Sequence, residues 1–269
     1  MSFRSFASLL VACLLLLSSS RAPAQPPDTV FLEELTWTEL RDQIRSGKTT
    51  ILVPIGGTEQ NGPHMALGKH NVRVKALSAA IARGLGNALV APVLAYVPEG
   101  RISPPEGHMR FPGTITIPDA TFAQILESAA RSFKAHGFKD IVFLGDHGGY
   151  QTLEMQVADR LNRDWAATPV RAHAMLEYDR LSEVEYARLL KSRGYAEDEI
   201  GTHAGLADTS LSLAVDPHLV RTDALQTHPD RGAGVRGDPR RANAELGQLG
   251  VDLVVAQTVA AIRVATTRR

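Results

Sequence analysis

The chain has 269 residues, with 29 Lys plus Arg against 29 Asp plus Glu and a single cysteine. That length buries the core of one large domain or two small ones. A net charge of zero, with no basic stripe, argues against nucleic acid as a partner.

At the N-terminus Arg4 precedes an apolar run from Phe6 to Leu17, followed by Ser18 to Ser20 and Ala22-Pro23-Ala24. These are the charged, apolar and small-residue regions of a secretory signal peptide. The run is shorter than the roughly 20 apolar residues that cross a bilayer. The expectation is therefore export to the periplasm or beyond, with cleavage after Ala24 and no stable membrane anchor. Cys13 follows Leu10-Val11-Ala12 in the manner of a lipoprotein box, but Leu14 to Leu17 directly after it argue against lipidation. Cleavage after Ala24 removes the cysteine, so a metal site must be built from His, Asp, Glu or Asn.

Residues 25–34 read as a linker and 35–269 as one domain. A first helix is expected from Thr38 to Arg45, ended by Gly47. Thr50 to Ile55 reads as a buried strand, followed by a Gly-rich loop and a helix from Val72 to Leu85. Ala88 to Val97 and Thr114 to Ile117 are expected strands, and Asp119 to His136 a helix closed by Gly137. Ile141 to Leu144 is a strand, Gly145 to Tyr150 a loop, and Gln151 to Trp165 a helix. Val170 to Met175 makes a further strand. Helices follow over Glu183 to Arg193 and His203 to Val215, then a polar excursion from Thr227 to Arg241, and a last helix from Ala242 to Ala265. This alternation predicts an α/β fold, a three-layer α/β/α sandwich with a mostly parallel sheet. Ligands in such folds sit at the carboxyl ends of the strands.

Three segments at such places are rich in donors. Gly56 to Asn71 carries Glu59, Asn61, His64 and His70; Gly145 to Tyr150 carries Asp146 and His147; His203 to Ser210 carries His203 and Asp208. On one helix His203 and Asp208 diverge by roughly 140°, which places His203 in the loop at the helix mouth. A carboxylate and several imidazoles in one crevice suit a divalent ion such as Zn or Mn. No Gly-x-Ser-x-Gly elbow, Walker loop or His-Glu-x-x-His helix is present. On residues alone, a metal hydrolase and a set of hydrogen-bonded loop histidines stay equally open.

Several separate motifs, in order, resemble the creatininase family. They are Pro54-Ile55-Gly56-Gly57-Thr58-Glu59-Gln60-Asn61-Gly62-Pro63-His64, Leu67-Gly68, Glu106-Gly107-His108 with Phe111-Pro112-Gly113-Thr114, Gly145-Asp146-His147-Gly148-Gly149, and His203-Ala204-Gly205 to Ser210. The resemblance implies a layered metal hydrolase, usually oligomeric, that cleaves cyclic or linear amides. It implies that Glu59 and His147 are metal ligands, that His203 transfers a proton, and that Asp208 stands where most members have a glutamate. Three positions depart from the family pattern: Asn61 replaces a ligand histidine, His70 a metal-bridging aspartate, and Gly149 a carboxylate of creatininase itself. A neutral imidazole offers one lone pair and bridges two ions poorly.

The expectation is one Zn or Mn ion per chain held by Glu59, His70 and His147. Asp208 is a fourth ligand or a supporting carboxylate, His203 the proton carrier, and Asn61 a donor to the developing oxyanion. The substrate class is a small amide or lactam, and the assembly an oligomer of identical chains. Two alternatives stand beside this: an exported binding protein without turnover, and an amidase or deformylase for a linear substrate. His64 and His108 are expected to hold their loops by hydrogen bonds, as Glu106 also can. Asp146 is expected to cap the helix after its loop, while Tyr150 and Tyr178 line the pocket or the core.

Overall fold

A computed structural model describes residues 27–226 and 232–267. The signal-peptide region and part of the expected polar excursion lie outside the described residues. Four parallel strands form one sheet in the order β2-β1-β3-β4. They are β1 (Thr50–Ile55), β2 (Ala88–Val90), β3 (Asp140–Gly145) and β4 (Arg171–Ala174). Every residue of β1 and β3 is buried, as a central parallel strand covered on both faces requires.

Alternate side chains of these strands feed two cores. Ile51, Val53, Ile55, Ile141 and Phe143 pack with α3 (Asp119–His136) and α4 (Gln151–Asp164) through Phe122, Leu126, Val157 and Leu161. Leu52, Val142 and Leu144 pack on the other face with α2 (Lys69–Leu85) and α9 (Ala244–Thr267) through Val74, Leu77, Ile81, Val254 and Ile262. The result is the expected three-layer sandwich. α9 has the length and apolarity of a membrane span, yet these side chains pack against the sheet. It also touches α8 (Leu206–Val215) closely, since a Cβ at Gly247 would lie 1.8 Å from the Ser210 carbonyl oxygen.

The expected element boundaries shift for local reasons. The first helix, α1 (Trp37–Arg45), begins one residue early because Thr36 and Glu39 form a reciprocal capping box, Thr36 N–H donating to Glu39 Oε2 at 2.7 Å. The strand expected to reach Val97 stops at Val90, just before Pro92, which has no N–H for a ladder. Thr114 to Ile117 forms no strand; Ile115 N–H instead donates to the Thr58 carbonyl at 2.9 Å, tying two loops together. The expected linker is packed in part: Val30 is buried and accepts from Val90 N–H at 2.8 Å.

Between β4 and α8 the chain forms α5 (Leu176–Arg180), a π-turn at Leu181–Glu185, α6 (Tyr186–Ser192) and α7 (Glu197–Ile200). α8 starts at Leu206, leaving His203 in the preceding loop. α2 starts at Lys69, three residues before the expected start, so its first turns carry Lys69, His70 and Arg73 inward, all buried. That shift decides the chemistry of the site.

Candidate metal centre

The segment after β1 enters the cleft through glycines and delivers Glu59, which is fully buried. Tyr150 fixes its start by donating from its hydroxyl to the carbonyls of Ile55 (2.9 Å) and Gly56 (2.7 Å). Glu59 Oε1 accepts from His70 Nε2 at 2.9 Å. Glu59 Oε2 has no hydrogen-bond partner although buried, and lies 3.3 Å from His108 Nε2 and 3.5 Å from His147 Nε2. Among the described residues these three side chains bring one ligand atom each within 4.8 Å of one another. An orphaned, buried carboxylate oxygen flanked by two imidazole nitrogens fits a divalent cation. The protonation energetics agree. Burial works against the Glu59 charge, but the nearby His147 ring and the hydrogen bond from His70 hold its carboxyl far below the ordinary range.

The sequence places His108 among loop-holding residues, and its Nδ1 does accept from Gln60 Nε2 at 2.7 Å; the structure also brings the ring into this trio. Its motif was visible, but the approach of residue 108 to residue 59 is a tertiary fact that spacing does not encode. His70 has a different place from the one expected. It bridges two carboxylates, with Nε2 on Glu59 and Nδ1 2.8 Å from Asp146 Oδ2. Both ring nitrogens are thus engaged with protein, so His70 aligns Glu59 and is not one of the trio. Asp146 caps nothing; it accepts from Arg73 Nε at 2.8 Å and from the Tyr178 hydroxyl at 2.8 Å.

Asp208, expected as a ligand or a supporting carboxylate, is held by cations. It pairs with Lys69 and with Arg73 Nη1, the latter at 2.6 Å, and also accepts from Ala204 N–H at 2.9 Å. Burial opposes its ionisation, but Lys69 and Arg73 keep it ionised. Asn61, expected to donate to an oxyanion, has its Nδ2 committed to the carbonyls of Glu59 (2.9 Å) and Ala66 (3.2 Å); only its acceptor Oδ1 is left over. His64 does hold its loop, through Thr209 Oγ1 at 3.0 Å. Glu106 is exposed and paired with Arg101.

His203 reaches the cleft from the loop before α8. Its Nε2 lies 3.0 Å from the Gln60 carbonyl and its Nδ1 3.7 Å from Glu59 Oε1. The loop pairs with Arg236 in an antiparallel bridge, and Ala204 beside it sits at φ 54°, a left-handed conformation that costs an alanine energy. Burial and the Lys69 charge push the His203 ring down to about 4, so it is neutral at pH 7 and presents an acceptor nitrogen. The cleft itself is a cavity of about 230 Å³ lined by Lys69, His108, His147, His203, Thr202 and Arg236 among others.

A carboxylate that sequence reading passed over lies buried beside His147. Glu99, in the loop after β2, is 6% exposed, and its Oε2 is 3.7 Å from His147 Nε2. Burial, offset by His147 and reinforced by the Glu59 charge, raises it to about 8. Pro98-Glu99-Gly100 carries no recognisable motif, so only the fold reveals it.

Comparison with known proteins is consistent with this geometry. The family described as creatininase, creatinine amidohydrolase, matches residues 33–262. Creatinine amidohydrolase of Pseudomonas putida is 28% identical over 204 residues, covering 75% of this chain and 77% of that protein. A mycofactocin precursor peptide peptidase of Mycolicibacterium smegmatis is 29% identical over 191 residues, covering 68% of this chain and 64% of that protein. A solved manganese creatininase superposes with a TM-score of 0.72 at 26% identity, over 88% of this chain and 99% of the other. A creatininase variant with similar likeness is of zinc–zinc type.

Proposed function

The chain belongs to the creatininase family, and from that premise we propose that it is a divalent-metal-dependent hydrolase opening a carbon–nitrogen bond of a small cyclic or linear amide. Glu59, His108 and His147 hold the cation, Zn or Mn, one per chain. The observation that carries this is Glu59 Oε2, buried without a partner between two imidazole nitrogens. When bound, the cation supplies Lewis acidity for the amide carbonyl and for water. The protein's own groups do the rest. His70, braced by Asp146, fixes the Glu59 carboxylate. His203, with Nε2 donating to the Gln60 carbonyl, accepts a proton at Nδ1 and passes it to the leaving nitrogen. The reading extends to an exported protein, on the strength of residues 1–24, and to self-association, on the strength of the family resemblance.

The test is elemental analysis of the protein purified without chelators or a metal-binding tag, alongside hydrolysis of a panel of small amides and lactams. His108→Ala and His147→Ala are expected to lose cation affinity by roughly 100-fold or more, and turnover with it. His70→Ala, which removes an orienting group, loses about tenfold to 100-fold. Full metal retention in His108→Ala contradicts this ligand set. Bound metal with no turnover of any panel member leaves a binding protein on the same fold.

A further inference from the structure

Glu99 is the most conspicuous buried group that the proposed ligand trio leaves without a task. Both of its carboxylate oxygens are buried and neither has a hydrogen-bond partner. Its side chain is fully shielded from solvent, and its Oε2 faces the same His147 Nε2 that Glu59 Oε2 faces. Two carboxyls that share a buried pocket with three orphaned oxygens between them are costly unless a shared proton or a cation lies among them.

The surroundings are shaped to receive it. Gly57, at φ +156°, leaves open the space that a Cβ would take; such an atom would stand 2.8 Å from Glu99 Oε1. At Gly149 a Cβ would meet His147 Cε1 at 2.8 Å, so no side chain approaches His147 from that position. The Glu99 backbone is pinned by donation of its N–H to Thr116 Oγ1 at 2.9 Å. Glu99 Oε2 is about as far from His147 Nε2 (3.7 Å) as Glu59 Oε2 is (3.5 Å).

We propose that Glu99 is a further cation ligand of this centre, a second carboxylate that shares His147 with Glu59. The inference rests on the metal-hydrolase reading above and adds to it a donor from the loop after β2, outside the trio of Glu59, His108 and His147. A site with two carboxylates offers more negative charge and more oxygen to the ion than a trio of one carboxylate and two imidazoles. That shift favours manganese relative to a softer, nitrogen-rich site.

The experiment uses the full mature chain as wild type, Glu99→Gln, Glu99→Asp and, as a surface control, Glu106→Gln. Zinc affinity is read by competition with a chromophoric chelator, coordination by the visible spectrum of the cobalt-substituted protein, and stability by thermal unfolding with and without zinc. Glu99→Gln is expected to weaken zinc binding about tenfold or more and to change the cobalt bands. Its unfolding temperature without metal should hold, because a neutral amide of the same shape takes the place of a buried carboxyl that has no hydrogen-bond partner. Glu99→Asp should recover part of the affinity, and Glu106→Gln should match wild type. Wild-type affinity and cobalt bands in Glu99→Gln overturn the proposal while leaving the trio intact. A Glu99→Gln chain that unfolds much earlier even without metal assigns Glu99 a structural role and also overturns it. A wild-type chain that binds neither ion overturns the metal-hydrolase reading itself.

Discussion

His147 carries the clearest pH signature of any single residue. Burial favours its neutral ring, but the adjacent carboxylates of Glu59 and Glu99 raise it to about 9. In the unfolded chain a histidine titrates near 6.5. The folded protein without metal therefore binds this proton more tightly, and the associated stability is complete below about pH 6.5 and lost as pH rises through about 9. A cation competes for the same nitrogen, so its binding displaces the proton. Zinc affinity is expected to climb by up to about tenfold per pH unit between pH 6.5 and 8.5, measured by chelator competition; a flat profile over that interval contradicts the assignment. At this scale the sequence exposed Glu59, His147 and His203, because each sits in a motif at the end of a strand or the mouth of a helix. It did not expose the partners of His70. Whether that ring meets a metal or a carboxylate depends on Asp146, which is 76 positions away.

Among the elements, α1 offers the simplest test of local encoding. Thr36 and Glu39 satisfy each other's backbone groups at its start, and no residue of the helix is fully buried. Leu40 and Ile44 pack on the core from its inner face, so Thr36→Ala removes only the cap and is expected to cost about 1 kcal/mol, read as a lower urea midpoint at unchanged slope. The same local logic made most helices legible. Gly137 closes α3, and the apolar runs of β1 and β3 announced central strands. Where reading failed, the deciding forces were not local. Ala88 to Val97 is apolar throughout, yet only its first three residues form a strand, and Leu94 rejoins β1 as a lone bridge to Ile55. The start of α2 at Lys69 has no capping side chain, so it is set by the ion pairs its first turns make. Thr114 to Ile117 has the composition of a strand but spends its donors on neighbouring loops.

Across the whole molecule, a relay of charge runs from Lys69 through Asp208, Arg73, Asp146 and His70 to Glu59, joining α2, the end of β3 and α8 along the wall of the cleft. Lys69 and Arg73 are each 1% exposed. Asp208→Asn leaves both cations short of countercharge, and the expected loss is about 3 kcal/mol, the lower end for a broken buried pair because Asp208 keeps some solvent contact. Equilibrium unfolding checks it; a loss under about 1 kcal/mol would show that Asp146 alone neutralises Arg73. The donors facing the cleft have a wider consequence. Glu59, Glu99, His108 and His147 come from loops that meet only once β1, β2 and β3 are aligned. An ion therefore cannot nucleate this fold as it does in a short metal-binding peptide, where binding and folding are one event. Metal arrives as the last component of a finished scaffold. Which metal it is depends on the ions at hand where the chain completes its folding, as much as on the donors themselves.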